Sequence, residues 1–215
     1  MKYRLIVFDW DGTIIDSAAT IAECIRESAR DMSLPVPSAE QASHVIGLGL
    51  HDSLRIAVPE LQTGQYSQFV AHYRRHFLAR EDAMSLFTGM EELLIHLKEN
   101  HLLAIATGKS RRGLDRALTA TGVGPHFSAS RCADETNPKP HPAMLLELMD
   151  ELGFAKNQTL MIGDTSHDLE MARAAEVDSV AVTYGAHPEE GLRACGPLHC
   201  CSNVSSLSEW LKQNA

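Results

Sequence analysis

The chain has 215 residues, 44% of them hydrophobic and 22% charged. That composition suits one domain, or one with a modest insertion, and excludes disordered, collagen-like and disulfide-scaffold classes. Nineteen Lys and Arg against 28 Asp and Glu leave a net charge of -9, so neither nucleic acid nor an anionic membrane is expected as a partner.

The first predicted element is a strand over Leu5 to Phe8, stopped by Asp9. Its apolar run is too short for a signal peptide. No run in the chain approaches the roughly 18 residues that span a bilayer. Five scattered cysteines, Cys24, Cys132, Cys195, Cys200 and Cys201, suit reduced thiols, and a cytoplasmic protein is expected.

From Asp16 to Leu86 the sequence reads helical and holds no strand-like run, which marks an insertion after the first strand. Helices are expected over Ser17 to Met32 and Thr63 to Arg80, with Ser38 a helix N-cap paired to Gln41. Pro35 and Pro37 bracket one loop, and Gly47-Leu48-Gly49 marks another. His72 and His76 stand one helical turn apart with no third ligand near them in sequence, so an exposed helix face beside Arg74 and Arg75 is expected.

Beyond the insertion, helices and strands alternate. Helices are predicted at Gly89 to Asn100, Arg111 to Thr121, Pro142 to Leu152, His167 to Ala175 and Ser206 to Gln213. Strands are predicted at Leu102 to Ala106, Leu160 to Gly163 and Val177 to Thr183, with weaker ones at Phe127 to Arg131 and Leu198 to Ser202. Continuous apolar runs suit strands buried on both faces of a parallel sheet. The expected fold is therefore α/β, a Rossmann-like parallel-sheet core (residues 1–15 and 87–215) with a helical domain (16–86) inserted after the first strand.

Asp9, Thr107 and Asp164 each follow a predicted strand, where an open α/β sheet places its ligand crevice. Asp11 and Asp168 accompany them. Carboxylates converging there repel one another unless a cation sits among them, and an all-oxygen set suits a hard ion such as Mg²⁺. Lys139 lies in Asn137-Pro138-Lys139-Pro140-His141-Pro142, where the prolines restrict the loop. A lysine, the Thr107 hydroxyl, free amides and Mg²⁺ together form a site for phosphate and suggest phosphoryl transfer.

These segments, Asp9-Trp10-Asp11-Gly12-Thr13, Ala106-Thr107-Gly108-Lys109, Asp134 to Pro140 and Gly163 to Asp168, resemble the haloacid dehalogenase-like superfamily, and its phosphoglycolate phosphatase-like members in particular. All four occur in the family's order over most of the chain, a far more specific signal than any one of them. The resemblance implies a helical cap over a Rossmann-like core. It implies that Asp9 is the nucleophile, forming an aspartyl-phosphate and binding Mg²⁺ through its other oxygen. Asp11 is implied as general acid and base, with its backbone carbonyl on the metal. Thr107, Gly108 and Lys139 are implied to bind the phosphoryl group. Asp164 is implied as a metal ligand, and Asp168 as a ligand or an anchor behind the ligands. Trp10 departs from the smaller apolar residue common in the family.

The activity so implied is a Mg²⁺-dependent phosphatase for a small phosphorylated metabolite: phosphoglycolate first, with sugar phosphates and nucleotides close behind. Arg55 is the candidate cation for a substrate carboxylate. A mutase resembling β-phosphoglucomutase and a non-catalytic phosphate-binding module are the alternatives. The sequence does not set the oligomeric state, and a monomer is compatible with it.

Weaker signals have simpler readings. Thr107-Gly108-Lys109-Ser110 ends like a nucleotide P-loop, but Leu103 stands where its first glycine belongs. Gly47-Leu48-Gly49 lacks a preceding strand and reads as a loop near the substrate. Lys109 is either a surface residue at a helix start or a second electrostatic contributor. Cys195, Cys200 and Cys201 match no zinc spacing, and Asn203-Val204-Ser205 is a glycosylation signal without meaning in a cytoplasmic protein.

Overall fold

Every residue of the first strand, β1 (Leu5–Phe8), is apolar and buried, because helices cover both faces of the sheet it centres. The computed structural model describes residues 2–215. Its strands are β1, β2 (Leu102–Thr107), β3 (Ala129–Cys132), β4 (Thr159–Gly163), β5 (Asp178–Val182) and β6 (His199–Cys201). All pair in parallel, in the order β3-β2-β1-β4-β5-β6. Phe8 is in register with Ile105 on β2 and Ile162 on β4, so Asp9, Thr107 and Asp164 leave the sheet along one edge. The strand order reverses at β1 and β4, which opens a crevice at their carboxyl ends.

Successive residues of a strand face opposite sides. Ile6 and Phe8 join one buried cluster, and Leu5 and Val7 another. The sheet core therefore has two layers, with Leu94, Leu114 and Leu207 packed into the first and Leu145 and Met171 into the second.

Four helices lie between β1 and β2 before the core resumes: α1 (Ala18–Asp31), α2 (Ala39–His44), α3 (Leu50–Ala57) and α4 (Tyr66–Leu78). Ile21, Ile25, Val45, Leu54 and Phe69 give them a hydrophobic cluster of their own. Ser38 caps α2 in a reciprocal pair with Gln41, as the spacing predicts. The chain enters and leaves this region side by side: Ile15 bridges Leu86, the Asp16 amide donates to the Ser85 carbonyl (2.9 Å), and the Phe87 amide donates to the Ile14 carbonyl (3.1 Å).

The remaining helices are α5 (Met90–Lys98), α6 (Arg111–Thr121), α7 (Ala143–Leu152), α8 (Ser166–Ala174), α9 (Glu189–Ala194) and α10 (Val204–Asn214). Among the described residues no helix is long and apolar enough to cross a membrane. All five cysteine thiols are free.

One expectation is corrected. His72 and His76 do not lie on an open helix face, because folding brings the acids of α1 to them. His72 Nδ1 is 3.1 Å and His76 Nε2 2.6 Å from Asp31, and His76 Nδ1 is 3.2 Å from Glu27. Arg75 and Arg80 complete this seam by pairing with Asp31 and Glu27.

Candidate active site

The carboxyl edge of the sheet gathers the acids. Asp9, Asp164 and Asp168 are buried, and one carboxylate oxygen of each lies within 4.8 Å of the others. Lys139 is fully enclosed between two of them, its Nζ 2.5 Å from Asp9 Oδ1 and 2.6 Å from Asp168 Oδ1. Burial disfavours the charged ammonium, but the charges of Asp168 and Asp9 outweigh it and raise the Lys139 pKa.

Asp164 is fixed from two sides: Thr13 Oγ1 donates to its Oδ1 (2.8 Å) and the Ala186 amide to its Oδ2 (2.7 Å). Gly12 allows this approach. It has φ +84°, and a Cβ there would collide with the Asp164 carboxylate. Asp168 caps α8 reciprocally with Thr165, accepting from its amide (3.1 Å) and hydroxyl (2.7 Å).

Among the described side chains, three carboxylates against one ammonium leave the pocket short of positive charge. Burial, and after it the charge of Asp168, push the Asp164 carboxyl up to about 7, and burial likewise holds Asp9 well above the ordinary carboxylate range, against the pull of Lys139. Asp9 Oδ2 is buried without a hydrogen-bond partner among the described residues. An all-oxygen donor set with an orphaned carboxylate oxygen fits a hard divalent cation.

Asp11 is placed differently. Its side chain is not among the three converging carboxylates. Its Oδ1 accepts from the Ser17 hydroxyl (2.7 Å), and Lys109 Nζ lies 2.9 and 3.0 Å from its two oxygens. Lys109 in turn sits 4.8 Å from the centroid of the Phe77 ring on α4. From sequence Lys109 is either a surface residue or part of the site; in the fold it links Asp11 to the inserted helices. Thr107 is buried at the end of β2, its Oγ1 accepting from the Lys109 amide (3.2 Å), and Ser110 then caps α6.

The loop after α2 closes over this edge. A Cβ on Gly108 would stand 2.5 Å from the carbonyl oxygens of Gly47 and Leu48, so only glycine fits there with the loop in place. His167 and His187 both donate through Nε2 to the His44 carbonyl (2.9 and 3.1 Å). His187 accepts through Nδ1 from the Ser166 amide (3.0 Å), so it is a neutral ring, and burial lowers its pKa to about 4. Nothing in the spacing of these histidines announces this seam.

Between the loop, α1, α4 and the start of α6 lies a cavity of about 420 Å³ with Asp11, Gly108 and Lys109 among its lining. Arg55 does not line it. Its side chain is 69% exposed on α3, 3.6 Å from Asp52. The cations that do line it are Arg74, Lys109, Arg112 and Arg116, and of these Arg116 is held by Glu81 (2.7 Å). Arg74 and Arg112 carry no motif, and only the fold places both along this cavity.

Residues 6–182 match the model of the haloacid dehalogenase-like hydrolase family. A protein of Dickeya dadantii named "probable phosphatase IndB" is 34% identical over 200 residues, covering 90% of this chain and 86% of its own. The phosphoglycolate phosphatase of Colwellia psychrerythraea is 30% identical and covers 98% of this chain and 97% of its own. The crystal structure titled as "a predicted phosphoglycolate phosphatase" from Haemophilus somnus superposes with a TM-score of 0.87 at 25% identity, covering 100% of this chain and 99% of that one. With the model spanning most of its length and relatives matching almost end to end, the chain belongs to the haloacid dehalogenase-like hydrolase family.

Proposed function

We propose that this phosphatase hydrolyses a small phosphate monoester in two steps, through an aspartyl-phosphate on Asp9, with Mg²⁺ as cofactor. The observation that carries the reading is the buried convergence of Asp9, Asp164 and Asp168 on Lys139 at the carboxyl edge of the sheet. The names of its relatives, a phosphatase and a phosphoglycolate phosphatase, point the same way.

Asp9, Asp164 and the backbone carbonyl of Asp11 would hold the metal, with Asp168 beside them. Bound there, Mg²⁺ supplies positive charge to the phosphoryl oxygens and to the crowded carboxylates. The Asp9 carboxylate attacks phosphorus in line with the leaving oxygen. Thr107, the Gly108 amide and Lys139 hold the phosphoryl oxygens as charge redistributes among them. Asp11 gives its proton to the departing alkoxide, then takes one from the water that attacks the acyl phosphate. A weak carboxylate nucleophile forms a labile ester, so one difficult hydrolysis becomes two easier steps. Ser17 and Lys109 orient the Asp11 carboxylate for both transfers.

Phosphate release from 4-nitrophenyl phosphate and a panel of alkyl phosphates tests the reading. Activity is expected with Mg²⁺, and loss of at least about 10³-fold with EDTA or in Asp9→Asn. An Asp9→Asn variant that keeps its rate rules the mechanism out.

A further inference from the structure

The cavity under the inserted helices begins where the leaving oxygen would depart. Asp11 and Lys109 line it, while Asp9 and Lys139 do not. In the two-step reading, on which this inference rests, it receives the alcohol and not the phosphate.

Its chemistry is not that of a site for a two-carbon acid. Ile21 and Ile25 of α1, Val45 and Leu48 of the loop after α2, and Phe77 of α4 form its buried walls. At about 420 Å³ it falls within the range of roughly 300–1,000 Å³ typical of sites for whole small molecules. A glycolyl group would leave most of that apolar wall against water, whereas a ring-sized body would cover it. Among the described residues Asp11 is the only acid in the lining, and Lys109 Nζ lies 2.9 Å from it. Arg74 and Arg112 are exposed residues of the lining and have no carboxylate partner among the described side chains.

We propose that the substrate is the phosphate monoester of an amphipathic alcohol, with an apolar, ring-sized body packed under the helices and a second anionic group meeting Arg74 and Arg112. Phosphoglycolate carries the anion without the body.

Propyl phosphate, 3-phenylpropyl phosphate, 3-(4-carboxyphenyl)propyl phosphate and phosphoglycolate separate the two contributions, because the three propyl esters share one leaving-group chemistry. The ring is expected to raise kcat/KM at least about tenfold over propyl phosphate. The carboxylate adds about threefold, and that increment disappears in the Arg74→Gln/Arg112→Gln variant. Leu50 also lines the cavity, and in Leu50→Trp, which narrows it, the preference for the phenyl ester over the propyl ester is expected to shrink. Equal kcat/KM for propyl and phenylpropyl phosphate, or phosphoglycolate as the best of the four, overturns the proposal and leaves the phosphatase reading intact. Calorimetry with propylphosphonate and 3-phenylpropylphosphonate in the presence of Mg²⁺ provides a readout without turnover. Tighter binding of the phenyl compound supports the cavity assignment even if no ester releases phosphate, a result that would sink the two-step reading instead. Equal binding of the two phosphonates counts against the cavity assignment whatever the turnover.

Discussion

Lys139 has no access to solvent and holds two carboxylates, so its removal strands buried negative charge. Breaking a buried pair from one side costs about 3–5 kcal/mol. Lys139→Ala is therefore expected to lose about that much stability in metal-free denaturant unfolding, and to lose turnover. A stability change under about 1 kcal/mol would mean that the acids are neutralised some other way. Much of this residue-scale arrangement was legible in the sequence. Asp9, Thr107 and Asp164 each end an apolar run, and β1 flanked by β2 and β4 carries them to one edge. What spacing did not reveal is which way the Asp11 carboxylate turns. It depends on Ser17 and Lys109, 6 and 98 residues away in the chain.

At the scale of elements, Gly108 lets the core and the loop after α2 approach closely. Gly108→Ala is expected to displace the Gly47 to Leu48 carbonyls and lower kcat/KM by at least about tenfold, since placing the reacting groups precedes the chemistry. Limited proteolysis of this variant should be faster in residues 16–86 than in wild type. Unchanged proteolysis together with unchanged kcat/KM would show that the loop does not need this approach. The elements themselves were largely predictable: β1 and α6 (Arg111–Thr121) have the predicted bounds, because an apolar run closed by Asp9 and an amphipathic run opened by Ser110 are strong local signals. The short helices α3 and α9 were not foreseen, having six to eight residues and little room for a periodic pattern. Arg55 is near the Gly47 to Gly49 loop in sequence, but it lies on α3 outside the cavity, which only the packing of α1 and α4 on the core defines.

For the whole molecule, stability, pH and metal are linked. Asp164 titrates at about 7 in the folded chain against 3.8 as a free carboxyl. Between those values the folded state keeps a proton the unfolded chain has released, so this group's contribution falls as pH rises. His187 works the other way, about 4 folded against 6.5, and its contribution grows as pH rises through the same interval. A plain pH scan of Tm mixes the two, whereas the gain in Tm on adding Mg²⁺ isolates the carboxylates. That gain is expected to grow from pH 5 to pH 8, because the cation and the proton compete for the same oxygens. The stabilisation behind it reaches about 2.7 kcal/mol at a hundredfold excess over Kd. A gain independent of pH would place the bound cation away from these acids.

The aspartyl-phosphate is the central claim, and trapping it is the most direct test. Enzyme mixed with 3-phenylpropyl phosphate and Mg²⁺, quenched in acid within a turnover and reduced with borohydride, is digested and read by mass spectrometry. The account predicts homoserine at position 9 and no change at Asp11, Asp164 or Asp168. Phosphate release with Asp9 unmodified at every quench time, or modification of another acid, would contradict it.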